Sequence, residues 1–203
     1  MNMISTVVDL IRHGEPVGGK RYRGHTDDPL SETGWQQMRS AVADHRPWDV
    51  LVSSPLLRCK EFAQQVAARH QLPLEEDARF KEIFFGPWEG KTGEQILAGE
   101  DEHRLKQFWS DPVNNMPPGA ETMPDFEARV LAAWQEMLQR HRGKHILLVG
   151  HGGMMRVIMA HALGMPLDNL FRLNVGYAAI SRIQVDGYPA GDFPRLRFHN
   201  GSL

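Results

Sequence analysis

The 203-residue chain has a single cysteine, Cys59. An intrachain disulfide framework is therefore excluded, and the thiol poverty fits a reducing compartment. No apolar run approaches the ~20 residues that cross a bilayer, and Met1 to Thr6 lack the charged and apolar regions of a secretory signal. The expected location is the cytoplasm. Neither sign of charge dominates: 23 Lys and Arg stand against 25 Asp and Glu, a formal net charge of -2. Such balance argues against nucleic-acid or membrane partners held by bulk charge, so any anion-binding site has to be local. No internal repeat, low-complexity tract or interdomain linker is visible, and the length suits one domain spanning 1–203 with one sizeable core. Oligomeric state is left open, a homo-oligomer being compatible with all of this.

What is present is an alternation of strand-like and helix-like segments, which predicts an α/β fold. "VVDLIRHGEP" begins as an apolar strand and ends on Arg12 and His13. A long Gly- and Arg-rich loop follows, then a helix expected over Glu32 to His45. "WDVLVSS" reads as a buried strand. "SPLLRCKEFAQQVAARH" reads as a helix with Ser54 at the N-cap and Pro55 at its first position, which puts Arg58 in the first turn. A less regular region is expected to be helical from about Gly93 to Trp109. Thr122, Pro124 and Asp125 start another helix, whose Phe126, Val130, Trp134, Met137 and Leu138 recur at helical spacing. "HILLVG" is a further apolar strand ending in His151, Gly152 and Gly153, with a helix from about Met154 to Leu163. "YAAISRIQV" and "PRLRFH" are expected as antiparallel strands joined by "DGYPAGDFP". The predicted architecture is a three-layer sandwich: a mostly parallel central sheet flanked by helices, with an antiparallel edge.

Cationic and imidazole groups collect at the C-terminal ends of these strands: Arg12 with His13, Arg58, and His151. In an open α/β sheet, ligands bind beyond those ends. A lone histidine there is usually structural. Two His-Gly pairs, each after an apolar run and one beside an arginine, point instead to a joint site. Two guanidinium forks around one point demand an anion, and a phosphoryl group matches their donor geometry. Helix N-termini after Ser54 and Gly153 would add backbone N–H groups.

Competing motifs fail on their mechanics. "GPWEGKT" imitates a phosphate-binding P-loop, but it has three rather than four residues between its glycines and places Trp88 and Glu89 where phosphates would lie. A cysteine phosphatase needs Arg six positions after its nucleophile, and six after Cys59 stands Gln65; Cys59 reads as a small core residue. His141 and His145 have helical spacing, but Gly143 interrupts them, and no HExxH or Cys/His framework appears. No metal or other cofactor is expected.

"LIRHGE", "SSPLLRCKEFA", "KEIFFGPWEG" and "LLVGHGG" occur in the order and spacing of the histidine phosphatase superfamily, also called phosphoglycerate-mutase-like, and the resemblance covers nearly the whole chain. Within it, "YRGHTDDPLSETG", "FFGPWEG" and "PPGAET" are similar to the α-ribazole phosphatases of cobalamin synthesis. The resemblance implies a phosphomonoesterase acting on a small phosphorylated metabolite, with α-ribazole 5′-phosphate the expected substrate. It implies His13 as nucleophile, His151 as donor to the phosphoryl oxygens, and Arg12, Arg58 and Gly152 as phosphate contacts. Glu82 is implied as general acid, although Glu89, seven residues on, is a rival by residue type. The family's mechanism uses no metal. Two departures stand out: Pro16 and Gly19 replace the Thr or Ser and the Asn that many members carry. Gly18, Gly19, Arg23 and Thr26 are candidates to replace those contacts, and Arg23 and Thr26 are possible substrate-binding residues. The region of about 91–122 is expected to cover the substrate. A phosphoglycerate-mutase-type phosphotransferase and a non-catalytic phospho-ligand binding module are the alternatives, though a pure binder has no use for a general acid.

Overall fold

The computed structural model describes residues 4–188, 191–201 and 203. Its centre is a six-stranded sheet in the order β3-β2-β4-β1-β5-β6, formed by β1 Ile4–Arg12, β2 Val50–Ser53, β3 Leu74–Glu76, β4 His145–Gly150, β5 Ile180–Tyr188 and β6 Gly191–Gly201. β1, β2, β3 and β4 run parallel, whereas β5 is antiparallel to β1 and β6 to β5. Among the described residues the helices are α1 Glu32–Val42, α2 Leu57–His70, α3 Gly93–Leu97, α4 Glu102–Phe108, α5 Met123–Arg140 and α6 Gly152–Leu163, with short 3-10 turns at Ala78–Phe80, Gly86–Trp88 and Leu167–Arg172.

Strand periodicity builds the layers. Along β4, Ile146 and Leu148 join a core shared with α5 and α6, while Leu147 and Val149 join the opposite core with α1 and α2. Successive side chains of a strand point to opposite faces, so this apolar run feeds both cores at once. α5 buries Phe126, Val130, Trp134 and Met137 on one face, each contributing about 1.5–3 kcal/mol by leaving water. Register then decides where the chemistry collects. Arg12 pairs with Gly150 and Ser53 with Val149, so β1, β2 and β4 end side by side, and the residues that follow them face a common edge.

Several boundaries differ from the expected ones. α1 stops at Val42, where Ala43 takes a positive φ of 42°, rather than reaching His45. Ser54 and Pro55 do not start α2; its N-cap is Leu56. The exposed N–H of Leu57 is satisfied instead by Asp27 Oδ1 at 2.7 Å, so the long loop supplies the cap. The expected helix over Gly93 to Trp109 is two helices, broken around Gly99, a residue of poor helix propensity. α6 begins two residues earlier than expected, at Gly152. β3 was not anticipated; "LEE" carries no apolar alternation and pairs on one side only. Most of "DGYPAGDFP" is strand rather than turn, with Pro189 and Ala190 outside the described residues.

Candidate active site

His13 follows β1 directly, its backbone N–H bonded to Gly150 O at 2.9 Å across the parallel pair. His151 follows β4. The two rings meet edge to face, with centroids 5.3 Å apart, and both are buried. His13 Nδ1 lies 2.7 Å from Gly14 O. A carbonyl only accepts, so Nδ1 carries the proton and Nε2 holds the lone pair. Burial, then the charges of Arg58 and Arg12, hold the His13 pKa well below the ordinary imidazole value, against a smaller opposing pull from the Gly14 carbonyl. His151 is displaced in the same direction by burial and then by Arg58, His13 and Arg12. Both rings are neutral at pH 7.

Glycine makes the closest approach of backbone possible. A Cβ on Gly14 would collide with the Gly34 carbonyl, which locks the turn after His13 against the start of α1. The arginines enter from two directions. Arg12 gives Nη1 to Val175 O at 2.6 Å and stacks over Tyr177 with Cζ 4.3 Å from the ring centroid. Arg58, fully buried, gives Nη1 to Thr26 O at 2.7 Å and Nη2 to Gly24 O at 2.8 Å. On both residues Nε is buried without a hydrogen-bond partner. Two orphaned cationic donors near two neutral imidazoles form a site suited to an anion.

The two candidate glutamates have different environments. Glu89 accepts from the backbone N–H groups of Gly24, His25, Thr26 and Phe85 and from Thr26 Oγ1. Burial pushes its pKa up, but hydrogen bonds from Thr26, Phe85 and His25 outweigh that and hold it below the usual carboxylate range. It is a saturated clamp for the loop. Among the described residues Glu82 accepts from Gly153 N–H at 2.8 Å and Ile83 N–H at 3.1 Å, and it lines the pocket beside Arg12. Gly153 permits this approach, because a Cβ there would collide with the Glu82 carboxyl. Arg129 of α5 fixes the segment from behind, donating to the carbonyls of Arg79, Lys81 and Glu82 while pairing with Glu121.

Arg23 lines the pocket, but Asp28, Gly19 O and Val17 O engage its donors at 2.5–2.6 Å. The N–H and hydroxyl of Thr26 both go to Glu89, and Thr26 lies outside the cavity lining. Gly18 and Gly19 adopt positive φ and also lie outside the lining. Gly152 lies between Arg12 Nε and Arg156 Nη1, 3.3 and 3.1 Å from where its Cβ would stand.

Sequence reasoning missed Ser54, Arg156 and Tyr177. Ser54 Oγ is 2.8 Å from His151 Nε2. Arg156 lies four residues after Gly152 on α6, a spacing that puts both on one helix face and could have flagged it. Tyr177 gave no signal. Cys59 is buried, 3.4 Å from Gly150 O and 3.6 Å from His151 Nε2, and burial pushes its thiol up to about 12; it is an inert part of the packing. Among the described residues, no cluster of three or more His, Cys, Asp or Glu is placed to hold a metal ion, and no helix is long and apolar enough to cross a membrane.

Comparison with known proteins extends this geometry. The glucosyl-3-phosphoglycerate phosphatase of Mycolicibacterium vanbaalenii is 30% identical over 195 residues, covering 90% of this chain and 85% of that protein. The adenosylcobalamin/alpha-ribazole phosphatase of Escherichia coli is 26% identical, over 87% of this chain and 89% of its own. The solved structure of Bacillus stearothermophilus YhfR superposes with a TM-score of 0.87 at 30% identity, covering 98% of each chain. Residues 8–192 match the family described as the histidine phosphatase superfamily (branch 1). The chain belongs to the histidine phosphatase superfamily.

Proposed function

We propose that the protein hydrolyses a small phosphomonoester through a phosphohistidine on His13. The observation that carries this reading is the meeting of two neutral imidazoles, 5.3 Å apart, with the buried, unpartnered Nε donors of Arg12 and Arg58. His13 Nε2 attacks phosphorus with its lone pair while the bond to the ester oxygen breaks. Arg12, Arg58 and His151 hold the phosphoryl oxygens, and in a loose transition state this positioning and charge stabilisation supplies most of the rate. Glu82 delivers a proton to the departing alkoxide. The Glu82 carboxylate then takes a proton from water, whose oxygen attacks phosphorus; the N–P bond breaks and inorganic phosphate leaves.

For the substrate, the proposal is α-ribazole 5′-phosphate. It is supported by the "YRGHTDDPLSETG", "FFGPWEG" and "PPGAET" segments and by the similarity to the Escherichia coli enzyme. The test is a phosphate-release screen over α-ribazole 5′-phosphate, 3-phosphoglycerate and sugar phosphates, with His13→Ala as control. Release that is fastest from α-ribazole 5′-phosphate and absent in the control is expected. Phosphate binding without release from any of them would leave only a binding module.

A further inference from the structure

Beyond the strand ends the site opens into a cavity of about 470 Å³ whose character changes. Tyr22, Phe85, Phe108, Trp109 and Phe171 line it, and they come from the loop after β1, the segment before the Gly86–Trp88 turn, the end of α4 and the Leu167–Arg172 turn. The rings interlock: Trp109 with Phe171 at 4.7 Å, Phe108 with Phe171 at 5.1 Å, Tyr22 with Phe85 at 5.3 Å. Burial pushes the Tyr22 phenol up to about 12, opposed by its hydrogen bond with Trp109. Trp109 nonetheless stays 53% exposed, so a large apolar surface is left uncovered in a cavity that Arg12, Glu82 and Gly152 also line.

Arg156 joins the two zones. Its Cζ lies 5.6 Å from the Phe171 ring centroid, and its Nη1 is 3.1 Å from where a Gly152 Cβ would stand. The aromatic pair therefore begins one side chain away from the anion site. Among the described lining residues the polar groups are cations, Glu82 and tyrosine hydroxyls; no Ser, Thr, Asn, Gln, Asp or His takes part. A planar apolar group matches the walls.

We propose that Trp109 and Phe171 form a specificity clamp for a planar aromatic group in the alcohol half of the substrate, making phosphate esters of aryl-bearing alcohols the preferred class. This rests on the phosphomonoesterase reading and adds the residues that select the substrate. Ethyl phosphate and 2-phenylethyl phosphate make the comparison, because both release primary alcohols of similar acidity and their ratio of kcat/KM reports recognition rather than leaving ability. The wild type is expected to favour the phenyl ester by about tenfold. Trp109→Ala should remove most of that ratio, and Trp109→Phe should retain it. Calorimetric titration with 2-phenylethylphosphonate and ethylphosphonate, which cannot turn over, measures the same preference as binding, with Phe171→Leu as a second variant should Trp109→Ala not fold.

Equal kcat/KM for the two esters, or a ratio untouched by every folded variant, overturns the clamp while the phosphatase reading stands. Should neither ester be hydrolysed, the phosphatase reading still rests on the phosphate-release screen, and the phosphonates decide the clamp: equal affinities reject it, and a phenyl preference lost in Trp109→Ala or Phe171→Leu supports it.

Discussion

At the floor of the site, Arg12 and His13 come from the end of β1, His151 from the end of β4 and Arg58 from the first turn of α2, the two imidazoles meet at 5.3 Å, and a Cβ on Gly14 or Gly152 would crowd the Gly34 carbonyl or the Arg12 and Arg156 guanidiniums. At the mouth, Trp109 and Phe171 hang from short helical segments, and Trp109 stands half in solvent. The floor is positioned by strand register, where a slip of one residue would turn every side chain to the other face. The mouth is positioned mainly by ring packing, which tolerates substitution of similar volume, with a hydrogen bond between Tyr22 and Trp109 and the Arg156 guanidinium over Phe171 beside it. On the proposed reading, chemistry sits where strand ends and buried hydrogen bonds fix the side chains, and selection where ring packing does.

The harshest test of that contrast removes the nucleophile. His13→Ala is expected to lower kcat by about 10⁵-fold or more, read in single-turnover phosphate release, with no phosphorylated protein seen by intact mass. A comparable loss from Trp109→Ala would erase the distinction between floor and mouth. Arg58→Ala comes next, at about 10³-fold in kcat. Arg58→Lys should not restore it, because the donors of a single ammonium nitrogen cannot span the guanidinium fork, which reaches Thr26 O and Gly24 O through two different nitrogens and leaves Nε for phosphate. Full recovery with lysine would mean that only the charge matters.

The contrast sharpens within a few residues at Glu82 and Glu89. Glu82→Gln is expected to slow alkyl phosphates by about 10²–10³-fold, and esters with good leaving groups far less; equal losses on both would remove Glu82 from the proton-transfer role. Glu89→Gln should instead cost about 1–3 kcal/mol of stability, measured by urea unfolding, since a neutral amide cannot accept all five donors that now converge on the carboxylate.

The same division explains what the sequence could disclose. Apolar runs ending in "RHG" and "GHGG" announced β1, β4 and their histidines because strand periodicity and the terminal polar residues are local signals. The antiparallel edge and α5 were legible for the same reason. Ser54 misled: Ser-Pro looks like a helix start, yet its hydroxyl meets His151, 97 residues away, and the cap comes from Asp27, 30 residues away. Glu82 and Glu89 look alike by type and differ only through partners that folding brings together. Tyr177, Arg156 and the Trp109–Phe171 pair belong to the site through tertiary contacts that no periodicity records.

The smallest expected effect concerns protons at the floor. His13 and His151 are both depressed, first by burial and then by the arginines, whereas in the unfolded chain each returns to about 6.5. Below that value the unfolded state takes up protons that the folded state refuses, so stability is full above about pH 6.5 and falls as pH drops from there toward the folded pKa values. Linkage sets the slope at about 1.4 kcal/mol per pH unit for each ring. Urea unfolding at pH 7.5, 6.5 and 5.5 should show this decline, and His151→Gln should lessen it by about one ring's share, with other titrations cancelling in the difference. Trp109→Phe, at the mouth, should leave the slope as it is. Parallel slopes for wild type and His151→Gln would show that the buried ring binds its proton as readily as an exposed one, and that the arginines around it are not felt.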